Sequence, residues 1–511
     1  MPPIAVWQRV VLLALIAYPV AIIVVATASG PGISIDSVSY AAAAESWAAS
    51  GQLLTYDGSD LSLFPIGLPI TIGTLMAVGM NLSSAVAVTN AIATGLTVLA
   101  AYFLGRQVLR EPGWALLAAA GVALSASTVR VGSYLWTEPV FTALIAWSLA
   151  LVAWALRTRR ADWWIPMVAG ALVSIATTYR YVGVVAVPVI ALGVAWAASE
   201  RRVFKGLLAG LVGSVGLMVS AGRNLILGAA PLGERYPGSV DGQGAVLGLV
   251  RMWGEYLASS STTSLTVVFG ALVFVLLVAG AWLVAVATNG PGLIIAIFVA
   301  VYWVSILVSQ VGTRLDVATE RFGAPVLVPS MILALVAVRA VLDVMSRQLA
   351  DATHRDLAST HQWLMGVVAV AALGVVGLSM LHAFRFASGG FEQGLGLDSQ
   401  AAERRSVSVV AADLPVGAVV ASNDPWQVWW SRTEGPVLDY PPSRSEWPTD
   451  RVDRDLERLV DAVDEQGSVL VVLDSGSRAW LPVDDLVARG LVVEELDVRN
   501  GAQVLELRSS A

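Results

Sequence analysis

Residues 65–80, PIGLPITIGTLMAVGM, decide how this chain is laid out. The stretch is apolar, as a membrane span must be, but it is short and opens with Pro65, Gly67 and Pro69. A helix needs about 20 apolar residues to cross a hydrocarbon core of about 30 Å. Further apolar runs lie near residues 10–28, 86–105, 113–128, 137–156, 163–178, 182–198, 206–228, 263–287, 291–309, 322–342 and 364–383. Counted with them, 65–80 makes twelve candidate spans; set aside, it leaves eleven.

The basic residues choose between these counts. Cytoplasmic loops collect Arg and Lys. The strongest basic segments are Arg157–Arg160 (RTRR) and Arg201–Lys205 (RRVFK), with Arg106 and Arg110 before them. If 65–80 crossed, all of these would lie opposite Arg9. If it lies along the outer interface as a re-entrant or juxtamembrane helix, they share the cytoplasmic side with Arg9. The expectation is therefore about eleven spans, with the N-terminus inside and the C-terminal tail outside. The first run, after MPPIAVWQRV, is long and has no small-residue cleavage site before SGPG, so it reads as an uncleaved span.

Composition agrees. Of 511 residues, 56% are hydrophobic and 14% charged, and the mean hydropathy is +0.72. A soluble domain spends about a quarter of its residues on charge. Inside a bilayer every backbone polar group needs an internal partner, so helices are expected. The net charge of −7 and the lack of a basic block give nucleic-acid binding no support. Without cysteine there are no disulfides, thiolate metal sites or cysteine nucleophiles. His354, His361 and His382 form no ligand cluster, and Lys205 is the lone lysine.

From about Arg385 the pattern changes. GAVVASN, GPVLDYP, SVLVVLDS, LVVEELDV and AQVLELR read as strands. TDRVDRDLERLVDAVDEQG reads as a helix opened by Thr449 or Asp450 and closed by Gly467. No glycine-rich nucleotide motif occurs there. The expected fold class is an all-α polytopic membrane domain over residues 1–385, with juxtamembrane helices in its first external loop (29–85). A small extracytoplasmic α/β domain follows over 386–511.

On that layout the outer loops carry the chemistry. The first holds Asp36, Glu45, Asp57 and Asp60 and no basic residue. After Asp36 the run favours a helix whose Tyr40, Ala44, Trp47 and Ala48 share a face. Asp36 has an ordinary explanation as an N-cap, stabilising by about 1 kcal/mol. It also follows the apolar entry GPGISI, where partial burial would suit a carboxylate to proton abstraction. VRVGSYLWTEPVF sets Arg130 and Glu138 at the same boundary, Glu138 doubling as a first-turn acid. TTYRYVG is too short to lift Arg180 far from the bilayer, and the long loop 229–262 holds Glu234, Arg235, Asp241, Arg251 and Glu255. TRLDVATERFGAPVLVP adds Arg314, Asp316, Glu320 and Arg321. Each arginine alone can snorkel. Together they describe a polar cavity fit for an anion and a catalytic carboxylate, since guanidinium binds phosphate bidentately and stays charged.

In this order and spacing the sequence resembles the GT-C class of membrane glycosyltransferases, particularly the relatives of protein mannosyltransferases and lipid A aminoarabinose transferases. The resemblance runs over roughly residues 5–385. It rests on IDSVSYAAAAESWAASGQL, LFPIGLPITIGTLMAVG, LGRQVLREPGWALLAAAGVALSAS, WTEPVF and ERFGAPVLVP. It implies an inverting transfer from a polyprenyl-phosphate sugar to the hydroxyl of a glycolipid, cell-wall glycan or protein, in the bacterial plasma membrane. Asp36 would be the catalytic base and Glu138 the second acidic residue. Arg321, with Arg180, would neutralise the leaving phosphate. Tyr40, Arg130, Tyr179, Arg235 and Glu320 would line the site. Many relatives have two adjacent acids where this chain has Asp36 and Ser37, which weakens the case for a divalent metal bridging there and implies no certain cofactor. Trp426, Trp429 and Trp430 in SNDPWQVWW either stack on sugar rings or pack a core.

Two other classes compete. A transporter or lipid flippase would carry internal repeats and midplane polar residues, whereas here no repeat is evident and the charges gather at one interface. A non-catalytic scaffold would use Asp36 only as a cap.

Overall fold

In the computed structural model the described residues are 5–234, 241–257, 263–313, 319–353, 356–393, 395, 410–415, 417–431, 436–444, 449–474, 480–499 and 502–509. The helices are α1 (Val6–Ala26), α2 (Ile35–Ser50), α3 (Gly67–Ala77), α4 (Leu82–Val108), α5 (Pro112–Ala123), α6 (Ala126–Ser133), α7 (Glu138–Thr158) and α8 (Trp164–Tyr179). A 3-10 turn (Tyr181–Val185) leads into α9 (Ala186–Ala197), followed by α10 (Arg202–Ile226), α11 (Gly242–Leu257), α12 (Thr263–Val286), α13 (Gly290–Gly312), α14 (Glu320–Thr353) and α15 (Leu357–Gln393).

Each apolar run of the sequence carries helix. Among the described residues α1, α4, α7, α10, α12, α13 and α14 are long and apolar enough to cross a membrane, and α5 with α6, bent by 50°, makes an eighth candidate. α8 and the 3-10–α9 pair are shorter apolar helices, while α15 contains the run 364–383. α3 has 11 residues, a length of about 16 Å and roughly half a hydrocarbon core. The outward stripe of α12 shows the solvent these helices meet. Val268, Leu272, Val275, Val278, Trp282 and Val286 recur at helical spacing and are all exposed. A soluble protein rarely leaves so large an apolar patch uncovered, whereas lipid accepts it. The chain is an integral membrane protein.

One segment departs from the sequence reading. The loop 229–262 contains α11, in which Ala245, Leu249, Met252 and Trp253 are buried at helical spacing. Its glycines obscured that period. Asp241 opens the helix by accepting from the Gly244 N–H at 2.6 Å.

The chain divides into two compact units, Met1–Pro31 with Ser62–Leu68 and Ser83–Gly394, and Gly32–Leu61 with Pro69–Leu82 and Leu395–Ala511. In the first, α7 is packed on most sides, with Phe141, Ile145, Leu149 and Val152 buried. It meets α8, α9, α13 and α14.

The second unit holds a five-stranded sheet of β1 (Val420–Ser422), β2 (Val437–Asp439), β3 (Ser468–Asp474), β4 (Leu491–Arg499) and β5 (Ala502–Ser509), ordered β2-β1-β3-β5-β4. β1 runs parallel to β2 and β3, and β5 pairs antiparallel with β3 and β4. All five predicted strands form. Alternate residues of β3 feed two cores: Val469, Val471 and Leu473 pack with Val452, Leu456, Leu459 and Val463 of helix Thr449–Gln466, while Val472 faces Val420, Val428 and Val504. A strand buried on both faces needs this near-continuous apolar run. Gly467 ends the helix at φ +80°, a left-handed conformation that costs glycine little.

The first loop belongs to this unit too. The Tyr56 carbonyl accepts from the Val437 N–H at 2.8 Å, covering the edge strand β2 that would otherwise present unpaired backbone.

Candidate functional site

Glu138 is the first residue of α7, so its carboxylate stands in a first turn where helix dipoles favour negative charge. That position does not account for its surroundings. The residue is fully buried, and both Arg180 and Arg321 reach it. Arg180 Nη1 donates to Glu138 Oε1, and Arg321 Nε donates to the same oxygen at 3.0 Å. Arg180 Nη1 also lies 3.4 Å from Thr137 Oγ1. A buried carboxylate left alone would be strongly destabilising, and two charge-assisted bonds offset that. One carboxylate oxygen is thus shared by two guanidiniums.

Local sequence explains how each arginine arrives. α8 stops at Tyr179, Arg180 is a single extended residue (φ −149°, ψ 125°), and the 3-10 turn follows at once. The connection has no slack, as the shortness of TTYRYVG predicts. Gly67 stands against this end of α8: a Cβ there would lie 2.7 Å from the Thr178 carbonyl and 2.8 Å from the Tyr179 ring. Tyr179 itself is buried. Arg321 sits in the first turn of α14, its guanidinium 4.6 Å from the Trp136 ring centroid. Trp136 in turn stacks on Tyr134 at 4.3 Å. Arg180 lies 5.7 Å from the Phe322 ring.

The start of α14 is anchored further. Tyr256 donates to the Glu320 carbonyl at 2.7 Å and Tyr302 to the Phe322 carbonyl at 2.9 Å. Arg130, in the last turn of α6, pairs with the Glu320 carboxylate at 3.0 Å. Five expected residues, Glu138, Arg180, Arg321, Arg130 and Glu320, thus gather around the start of α14, with Tyr179 beside Arg180. Arg235, Arg314 and Asp316 lie outside the described residues.

Trp136, Phe322, Tyr256 and Tyr302 were not singled out in the sequence. Trp136 lies two residues before Glu138 and Phe322 follows Arg321, so adjacency to a charged residue was the available signal. Tyr256, which follows Glu255, carried the same signal; Tyr302 had none.

Asp36 and Tyr40 lie in the second unit, on α2. The structure corrects the capping explanation for Asp36. The N-cap is Ser34; its N–H donates to Ser37 Oγ at 3.0 Å, and the two hydroxyls are 3.0 Å apart. Ser37, standing where relatives carry a second acid, is thereby engaged in the cap. Asp36 is half-buried one residue earlier in the same turn, and Tyr40 is buried. Trp47 Nε1 donates to Thr74 Oγ1 at 3.1 Å, tying α2 to α3. Among the described residues no group of three or more His, Asp or Glu side chains is placed to hold a metal ion.

The same unit holds a partly buried polar cluster. Asp57 pairs with Arg458 at 2.8 Å, and Tyr56 OH donates to Asp439 at 3.2 Å. Burial, with Asp455 and Asp57 nearby, pushes Asp439 up to about 6. Burial raises Asp57 too, but bonds from Thr55 and Ser59 and the Arg458 charge outweigh it and hold the group low. Trp429 packs against the core that includes Val428, the core-packing alternative for that tryptophan.

Residues 64–222 match the dolichyl-phosphate-mannose-protein mannosyltransferase family. No curated protein sequence matches the chain. Among solved structures, apo ArnT from Cupriavidus metallidurans aligns at TM-score 0.60 and 13% identity, covering 97% of both chains. ArnT bound to undecaprenyl phosphate aligns at 0.60 and 15% identity, covering 98% of both. The oligosaccharyltransferase AglB from Archaeoglobus fulgidus, in complex with an inhibitory peptide and a dolichol-phosphate, aligns at 0.55 and 13% identity, covering 92% of this chain and 70% of its own. The chain is therefore a polytopic membrane protein of the GT-C glycosyltransferase fold class.

Proposed function

We propose that this chain transfers a sugar from a polyprenyl-phosphate donor to the hydroxyl of a glycolipid, cell-wall glycan or protein. The reaction takes place at the outer face of the bacterial plasma membrane and inverts the anomeric centre. The observation that carries the reading is the pair Arg180 and Arg321, both held by the buried Glu138. Two partly accessible guanidiniums side by side suit a lipid phosphate, and the similar ArnT and AglB structures hold undecaprenyl phosphate and dolichol-phosphate.

In the proposed step the acceptor oxygen bonds to the anomeric carbon as the bond from that carbon to the phosphate oxygen breaks. Asp36 takes the acceptor proton, and the departing phosphate gains negative charge. Preorganised cations aimed at developing charge are often the largest contribution to such a rate. Arg180 and Arg321 have that role, with Tyr40, Tyr179, Arg130, Arg235 and Glu320 lining the site. Glu138 acts as a positioning residue, fixing both guanidiniums before the donor arrives. Support for Asp36 comes from its place in the resemblance and from the cap falling to Ser34 and Ser37. The membrane domain (1–385) would carry catalysis, with the N-terminus cytoplasmic and the 386–511 domain outside.

The test is a panel of polyprenyl-phosphate sugars supplied to the reconstituted protein with membrane-extracted acceptors. Release of polyprenyl phosphate coupled to sugar incorporation supports the reading; phospholipid or donor movement across the bilayer without bond cleavage overturns it in favour of a flippase.

A further inference from the structure

α7 has 21 residues and so extends about 30 Å, close to one hydrocarbon thickness. Glu138 marks one end. At the other end is a cavity of about 340 Å³ lined by Arg110, Arg157, Arg159, Trp196 and the turn around Asn289. It forms where the C-terminal ends of α4 and α7 meet the start of α13, wholly within the first unit.

Three features set this cavity apart from a solvated basic loop. First, its walls are tied together: Arg157 Nη1 donates to the Gln107 carbonyl at 2.9 Å, and Asn289 Nδ2 to the Val108 carbonyl at 3.2 Å. Asn289 also caps α13, accepting from the Gly292 N–H at 3.3 Å. Second, three arginines line the space, and among the described residues none of them is in an ion pair. Nearby Glu111 pairs with Arg339 at 2.5 Å instead. Third, Arg110, Arg159 and Thr288 have φ of +70°, +55° and +48°, in the left-handed region where glycine is favoured. Two of these positions carry arginine despite that preference, and both residues line the cavity.

Arginine at a helix C-terminus also interacts favourably with the helix dipole, and basic residues gather on cytoplasmic loops. Neither effect requires a shared cavity or Trp196 in its wall. Three full charges outweigh the partial negative ends of two helices, so the cavity attracts anions. Guanidinium forks match phosphate oxygens.

We propose that this cavity binds a phosphate group at the membrane face opposite Glu138, carried by an anionic phospholipid or present as free phosphate. The site is separate from the proposed donor site and does not rest on it.

The test uses full-length, delipidated protein in the Arg321→Ala background, which removes a contribution from the donor site. Phosphatidylglycerol retention is read by native mass spectrometry, with uncharged diacylglycerol as control, and inorganic phosphate binding by calorimetry. The variant is Arg110→Gly with Arg159→Gly, since glycine suits both backbone conformations and should leave the melting temperature equal or higher. Binding at least tenfold weaker in the variant supports the site. Loss confined to phosphatidylglycerol identifies a lipid headgroup, and loss of inorganic phosphate binding identifies the free ion. Equal binding of both probes by the parent and the variant overturns the proposal and leaves the arginines a topological role.

Discussion

Arg321 and Glu138, 183 residues apart in the chain, meet through a single bond of 3.0 Å from Nε to Oε1. Glu138 is fully buried, while Arg321 keeps 19% of its side chain accessible. The carboxylate is therefore an internal brace, and the guanidinium is the part that can meet a ligand. Arg180, 15% accessible, stands in the same relation to the same oxygen.

Removing the brace takes a shared carboxylate from two partly buried cations. Breaking a buried pair by deleting one partner typically costs about 3–5 kcal/mol. Glu138→Ala is expected to lower the melting temperature in nanodiscs by several degrees. Glu138→Asp keeps the charge but draws it back, and misplacement of about 1 Å can cost about 100-fold in rate. Turnover should fall on that order with the fold intact. Normal turnover in Glu138→Asp would remove the positioning role.

Asp36 and Ser34 separate chemistry from helix capping. Asp36→Asn keeps the size of the side chain and removes the base, and a general base typically contributes about 100- to 10,000-fold. Transfer should drop within that range while donor binding persists. Ser34→Ala removes the Ser34 hydroxyl from the cap while the backbone N–H still reaches Ser37 Oγ; it should cost at most about 1 kcal/mol and leave the rate within about tenfold of the parent. If the two variants lost activity equally, Asp36 would be structural.

Much of the fold was legible because membranes and sheets impose short-range patterns. Twelve apolar runs gave helices, and five apolar segments punctuated by Gly, Pro and Asp gave strands. The breaks inside runs were less legible. Residues 113–128 bend by 50° at α5–α6, and 182–198 begins as a 3-10 turn. Both depend on packing that hydropathy does not encode. Of the candidate site, the charged residues could be singled out because charge at membrane depth is costly. Their pairing could not, since Arg321 reaches Glu138 across 183 residues with no local signal. The union of Asp57 with Arg458 was hidden for the same reason.

Trp136 offers a graded probe of Arg321. A cation over an aromatic face is worth about 0.5–2 kcal/mol. Trp136→Ala should weaken binding of a polyprenyl phosphate by about 2- to 30-fold, and Trp136→Phe by less. Equal affinities across the series would show that the ring does not steady the guanidinium.

Asp439 makes the second unit pH-sensitive. Its folded value of about 6 exceeds the 3.8 of an ordinary Asp, so the folded state holds the proton more tightly. Its contribution to stability is therefore fully present below about pH 4 and is lost as pH rises through 6. About two units correspond to about 2–3 kcal/mol. Amide exchange of β2 in the full chain should quicken between pH 4 and 7, after correction for intrinsic exchange. Asp439→Asn should remove most of that rise and protect β2 at pH 7. A parallel pH dependence in both proteins would assign the effect to another group.

The central claim is that Arg321 and Arg180 receive a lipid phosphate, and binding of undecaprenyl phosphate tests it most directly. Affinity should be measured for the purified protein, Arg321→Ala and the Arg180→Ala/Arg321→Ala double variant, each checked for an intact fold. The account predicts a Kd at least tenfold higher in the single variant and higher again in the double. A Kd unchanged in both variants would contradict it.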